Sequence, residues 1–214
     1  MDKDYLLNMV NFLLPTDAEE DSREQSALRL ASLGWSLPIL FSHLQINEAA
    51  KQEYTSDQVD EAMVMFFTEN EFSSLNDLVF KNVLKASGIE PWKKSIKECY
   101  ESFVQERYLV IVPTLITIIE GYLSLKVGTL NSTNVRMITP TKNKAQEPKT
   151  HRLDQTIWQS VSAIIDTLYQ PNDFSGTQPS SFNRHWILHG RSAPLEAKTD
   201  SVKLFNLLGS LSIA

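Results

Sequence analysis

The chain carries a single cysteine, Cys99, in 214 residues. One thiol excludes an internal disulfide and a cysteine-built zinc cluster, and it suits a reducing compartment. Glycine is also scarce, at 7 residues. The segments between punctuation points are rich in Leu, Ala, Glu, Lys and Gln, which lose little rotamer freedom in a helix, so an all-α helical bundle is expected. No apolar run reaches the roughly 20 residues a bilayer requires. The longest, Tyr108 to Tyr122, is interrupted by Pro113, Glu120 and Gly121. The opening MDKDYLLNMVNFLLPTDAEE is broken by Asn8 and Asn11, meets acids and has no small-residue cleavage pattern, so it reads as a docked helix and not a leader. These absences together predict a soluble, cytoplasmic protein with no membrane partner and no cofactor.

The chain is long enough to bury a substantial core. Its net charge of −6 argues against nucleic acid until it is divided along the sequence. Residues 1–133 hold 11 Lys/Arg against 20 Asp/Glu, whereas residues 134–214 hold 9 against 6. A polyanion would therefore meet the C-terminal third, which also carries His151, His185 and His189, three of the four histidines.

Local signals mark the helices. Thr16-x-x-Glu19 and Thr55-x-x-Gln58 are capping boxes, the first before Leu28, Leu30 and Leu33, the second before the stripe Val59, Ala62, Met63, Phe66 and Phe67. Gly34 ends the first helix. Pro38 opens a helix that places Ile39, Leu40, His43 and Leu44 on one face, which makes His43 a core or boundary residue. Leu75, Leu78, Val79 and Val83 form another helix, stopped by Gly88, and Pro91 opens the next, with Ile96, Cys99, Tyr100, Phe103 and Val104 on its face. A break or kink is expected at Pro113. The run PTLITIIEGYLSLKVG is apolar nearly all round, as in a central helix, and this makes Glu120 conspicuous. TLNSTNVRMITPTKNKAQEPKTHR reads as a long, mobile, basic connection. Ile157, Trp158, Val161, Ile164, Ile165 and Leu168 then form an amphipathic helix, PNDFSGTQPSS a loop, and Asp200 a cap for a last helix with Val202, Leu204, Phe205, Leu207, Leu208 and Leu211.

Between that loop and the last helix lies FNRHWILHGRS, Phe182 to Ser192, with two histidines and two arginines. On a short helix from about Phe182, at about 100° per residue, His185 and His189 share a face while Trp186 and Ile187 anchor the helix in the core. Three readings compete. A zinc site has the right i, i+4 histidine spacing but lacks a third local ligand. A structural role would pair Arg184 with an acid such as Glu120. Metal-free phosphodiester chemistry would use an imidazole for proton transfer and a guanidinium for the crowded phosphorane, with the RNA 2′-hydroxyl as nucleophile. That chemistry needs a second proton-transfer group, from another histidine or a second subunit.

Arg184-His185-Trp186-Ile187-Leu188-His189 resembles the Arg-x4-His hallmark, with a polar residue straight after the arginine, of the HEPN superfamily (higher eukaryotes and prokaryotes nucleotide-binding). The surroundings resemble a prokaryotic branch in which a helix bearing Glu-Gly, here in PTLITIIEGYL, precedes the Arg/His helix. The likeness spans residues 91–214, an HEPN-like helical domain; residues 1–90 form an N-terminal helical region, either separate or part of the same bundle. The resemblance implies a homodimer with a composite, metal-independent endoribonuclease site. In it His189 transfers protons, Arg184 holds the scissile phosphate, and His185 orients the arginine or the phosphate. Beside these, Asn183 is read as a supporting residue and Glu120 as an acidic partner of Arg184 or His189, or else as a buried acid salt-bridged for structure alone. It also implies a toxin or phage-defence effector held by an antitoxin or regulatory protein, or else an inactive interaction or nucleotide-binding module. Between Gly190 and the last helix RSAPLEAKTDS stands where this branch has a compact Gly-containing turn, so the placement of Arg191 does not follow from the resemblance.

Overall fold

A computed structural model describes residues 16–132, 136–148, 151–170, 174, 183–191 and 197–214. The N-terminal helix read at residues 1–14, most of PNDFSGTQPSS and part of RSAPLEAKTDS lie outside the described residues. Among those described, every regular element is helical, which is the all-α fold read from composition. In chain order they are α1 (Asp17–Ser32), α2 (His43–Ala49), α3 (Ser56–Asn76), a π-helical turn (Asp77–Asn82), 3-10 turns at Val83–Lys85 and Glu90–Trp92, α4 (Lys93–Val104), α5 (Tyr108–Lys126), α6 (Ile138–Gln146), α7 (Arg152–Leu168), α8 (Arg184–Leu188) and α9 (Ala197–Ile213).

Both expected capping boxes form: the Thr16 and Thr55 hydroxyls accept from the backbone of Glu19 and Gln58, whose side chains return the bond. Gly34 and Gly88 sit at φ +90° and +79° after the helical segments they end, a conformation that would strain any residue with a Cβ. The helix expected from Pro38 starts later. Pro38 to Phe41 form a turn, and α2 begins at His43 behind a third capping box, Ser42 with Gln45. The shift leaves Leu44 78% exposed and His43 at the boundary, bonded to Asn47. Within α3, Val59, Met63 and Phe67 are buried but Ala62 is exposed. The helix is also broken, at Glu69–Phe72, where Asn70, Glu71 and Phe72 take φ of 49°, 56° and 63°.

Pro113 does not start a helix. The break falls earlier, at Glu106 with φ +60°, and α5 runs straight through the proline. Pro113 removes only the bond its N–H would give to the Leu109 carbonyl, and that carbonyl lies in the solvent-washed first turns, where Leu109 and Val110 are 60% and 62% exposed. At 19 residues α5 is longer than the apolar run suggested, and by length and composition it is one that a membrane would accept. Here it is the central helix: Ile111, Val112, Leu115, Ile116, Ile118, Ile119, Tyr122 and Leu123 are buried, between α4 and α9.

The basic connection contains a helix, α6. Met137, Thr141 and Ala145, at i, i+4 and i+8, form a buried stripe packed against α7, and the Thr141 hydroxyl donates to the Met137 carbonyl at 2.7 Å. A threonine on the inner face and Pro140 in the first turn hid this period. The last helix also starts earlier than Asp200. That residue lies within the first turn of α9, where a carboxylate complements the helix dipole, and is not its cap.

One buried cluster draws on both sides of position 90, with α1 against α7 and the π-helical turn and α3 against α9. Polar contacts pin the segment after Gly34 between α7 and α9. The Leu37 amide donates to Ser160 Oγ at 3.1 Å, Ser210 Oγ donates to the Leu37 carbonyl at 2.8 Å, and Asn206 Nδ2 donates to the Ser36 carbonyl at 2.7 Å. Nearby, Trp35 Nε1 and Lys203 Nζ both donate to Asp60, at 2.7 and 2.8 Å. Asp60→Ala leaves a buried indole N–H and an inward-held ammonium without their acceptor. It is expected to lower unfolding stability by about 2–3 kcal/mol, measured by urea denaturation.

Candidate functional site

The site is built on α8, a helix of barely more than one turn held from three sides. Asn183 is its N-cap and is 4% exposed. Its Oδ1 accepts from the His185 and Trp186 amides at 3.0 and 3.3 Å, and its Nδ2 donates to the Gln170 carbonyl at 3.1 Å. One side chain thus starts α8 and ties it to the end of α7. Asn183 supports the cluster by position. Trp186 and Ile187, 8% and 9% exposed, anchor the inner face, as the projection indicates. The helix starts after Asn183 and is short, since His189 is already the C-cap, followed by Gly190 at φ +66°; Phe182 lies outside the described residues.

Arg184 reaches α5. Its Nε and Nη2 donate to the two carboxylate oxygens of Glu120, both at 2.8 Å. The pair is bidentate and part-buried, with side-chain exposures of 21% for Arg184 and 33% for Glu120. Between the two candidates, Arg184 and His189, it is Arg184 that Glu120 engages. The guanidinium also lies over the Tyr169 ring, its Cζ 5.1 Å from the centroid. Tyr169 is 7% exposed, and its hydroxyl meets no hydrogen-bond partner among the described residues. Burial, then the neighbouring Glu120 charge, raises the phenol far above its ordinary pKa, so it stays neutral. Two fixed surfaces therefore set the plane of Arg184: a carboxylate at its edge and an aromatic ring at its face.

The histidines pair with each other. The rings of His185 and His189 are parallel to within 2°, with centroids 6.1 Å apart. His185 is part-buried, and His189 is exposed. Burial, then the positive charges of Arg184 and His189, hold the His185 imidazole below the ordinary histidine value, with Glu120 opposing. His185 thus lies within electrostatic reach of both Arg184 and His189, whereas Arg184 turns toward α5 and His189 toward the rim. Five residues apart at about 100° each, the two side chains leave the helix some 140° apart. Arg184 and Glu120 meet directly, His185 feels the charge of both, and His189 joins through its ring contact with His185.

The depressed His185 pKa has a sign. The unfolded chain takes up the proton first as pH falls, so His185 contributes stability that is full above the unfolded value near 6.5 and is lost as pH drops toward the lower folded value. The urea midpoint of the wild-type chain is accordingly expected to fall more between pH 7.5 and 5.5 than that of His185→Gln.

Beyond the expected residues, the structure adds three. Tyr169 was legible only as the continuation of the α7 stripe through Val161, Ile165 and Leu168, which suggests core. Phe174 and Arg191 close the rim. The Phe174 ring meets Trp186 at 5.7 Å and His189 at 5.6 Å, both edge-to-face, and Arg191 Cζ lies 5.1 Å from its centroid. Among the described residues no third His, Cys, Asp or Glu joins the two histidines as a metal ligand.

The basic excess of this third of the chain is partly spent within the fold. Arg152 lies against Asp17, Glu20, Asp21 and Glu24 of α1, Lys142 pairs with Asp166, Lys144 with Glu147, Arg184 with Glu120, and Lys203 with Asp60. Positive charge at the α8 rim comes from the exposed Arg191. No family model, curated protein or solved structure matches the chain.

Proposed function

We propose that this chain is a metal-independent endoribonuclease of HEPN type, working as a homodimer whose α8 helices face each other in one composite site. The observation that carries the reading is the α8 constellation: one short helix bears a guanidinium held in plane by Glu120 and Tyr169 and two parallel imidazoles of unequal burial. Glu120 occupies the Nε/Nη2 edge of Arg184, which leaves the Nη1 hydrogens and the second Nη2 hydrogen for a non-bridging phosphate oxygen. One imidazole takes the proton of the 2′-hydroxyl, which attacks the adjacent phosphorus. The bond to the 5′-oxygen breaks, and a protonated imidazole delivers a proton to that oxygen. The products are a 2′,3′-cyclic phosphate and a 5′-hydroxyl. His189, at the exposed rim, is the principal proton-transfer group, with His185 and the partner subunit's copies completing the set. No metal enters the scheme, and no cofactor. In the biology the resemblance implies, the nuclease is a toxin or phage-defence effector restrained by a regulatory protein.

One observation favours a different reading. Arg184 already has a full carboxylate partner, and other cations of this third of the chain, Lys203 and Lys142, are paired within the fold, as in a silent interaction or nucleotide-binding module. RNA incubated with the chain in excess chelator decides between them. The nuclease reading requires cleavage with cyclic-phosphate ends, blocked by a 2′-deoxy substitution at the cut. The silent reading requires intact RNA.

A further inference from the structure

Phe174 is 39% exposed although phenylalanine is among the residues most readily buried. It is not a stray apolar side chain. Its ring sits at the centre of planar groups: Trp186 and His189 meet it edge-to-face, Arg191 covers it, and His185 lies parallel to His189 beyond. Trp186 beneath it is 8% exposed, and its indole N–H is buried without an acceptor among the described residues. The cluster is therefore firm on the Trp186 side and solvent-exposed at its rim, where the Arg191 guanidinium and the His189 imidazole present two planar groups. Among the described residues the Phe174 ring meets Trp186, His189 and Arg191, and Glu120, on neighbouring α5, is engaged by Arg184.

We propose that Phe174, Arg191 and His189 form a stacking platform for one nucleobase of a single-stranded RNA whose phosphate lies at Arg184, a proposal that rests on the nuclease reading above. Three features select this ligand. Flat aromatic and guanidinium faces accept any base, and stacking on them is the usual way unpaired strands are held. In a duplex the base faces are covered by their neighbours, so a platform of this kind discriminates against paired RNA. The guanidinium of Arg191 at the rim matches the phosphates that flank a base.

The test measures binding apart from cleavage. Fluorescence anisotropy of the full chain is recorded with a short 2′-O-methyl RNA strand, which cannot be cut, with the same strand carrying an abasic site at each position in turn, and with its duplex. Phe174→Leu is expected to weaken binding of the base-bearing strand about tenfold, Arg191→Gln by about three- to fivefold, and the duplex to bind the wild-type chain more weakly than the strand. At one position the abasic strand should bind the wild-type chain and Phe174→Leu alike. Equal affinity of wild type and Phe174→Leu for the base-bearing strand overturns the platform, as does a duplex bound as tightly as the strand. If the wild-type chain cleaves RNA in chelator while Phe174→Leu binds unchanged, the platform fails and the nuclease stands. If the wild-type chain neither cleaves nor binds, both fail.

Discussion

Arg184→Lys is expected to lower RNA cleavage by about 10²- to 10³-fold while moving the unfolding midpoint only slightly. Lysine keeps the positive charge and can still meet Glu120 at one point. It cannot place two parallel donors on the carboxylate and a third on a phosphate, because an ammonium is a point charge without a fixed plane. Alanine is the poorer probe. It leaves Glu120 part-buried without its partner, and a loss of activity would then mix with a loss of stability. Glu120→Gln separates the two effects from the other side. The amide still accepts one hydrogen bond but can no longer match both arginine donors, so Arg184 is expected to lose its fixed plane and kcat to fall by about tenfold or more. The double variant Arg184→Lys with Glu120→Gln should lose less than the sum of the singles, since both act on the same guanidinium. If Arg184→Lys unfolds the chain or leaves cleavage unchanged, the pair is a structural clasp only.

His189→Ala carries the second large effect. The residue is exposed, is the C-cap of α8, and touches Phe174 and His185 at its edge and face. The contacts it makes among the described residues lie at the exposed rim, so stability is expected to change by no more than about 0.5 kcal/mol. Cleavage is expected to fall by about 10²- to 10⁴-fold, the usual span for a lost proton-transfer group. His185→Gln makes an informative contrast. Glutamine preserves much of the packing and cannot titrate, so a merely orienting His185 predicts a modest loss with an unchanged pH profile. A steeper loss, with the acidic limb of the profile gone, would instead make His185 the proton acceptor, a role its depressed pKa suits because it is neutral near pH 7.

Much of the fold is legible in the sequence where local chemistry decides it. Capping boxes at Thr16 and Thr55, stops at Gly34 and Gly88, and the α7 and α9 stripes follow from hydrogen-bond and burial rules acting within a few residues. The structure departs from the local signals where distant packing overrides them. Pro113 marks a break by its chemistry, but solvent at the Leu109 carbonyl and burial of the rest of α5 let the helix continue. α6 is concealed because Thr141 takes an inward position that an apolar residue normally fills. At the site, the i, i+4 spacing places His185 and His189 together, and the solitary charge in an apolar helix points to Glu120 as a partner for Arg184. No local pattern indicates that Tyr169 floors the guanidinium or that Phe174, from the preceding loop, lies against His189. Those contacts depend on how the end of α7 meets α8, which Asn183 fixes through the Gln170 carbonyl.

Proton transfer at the α8 rim is the step on which the proposed activity depends, and one comparison tests it most directly. Wild-type chain and His189→Ala, matched for unfolding midpoint, are incubated with the same RNA in excess chelator, and the new ends are analysed. Expected are 2′,3′-cyclic phosphate ends from the wild-type chain and at least about a hundredfold fewer from the variant. Intact RNA with the wild-type chain, or equal cleavage by both, would contradict proton transfer by His189.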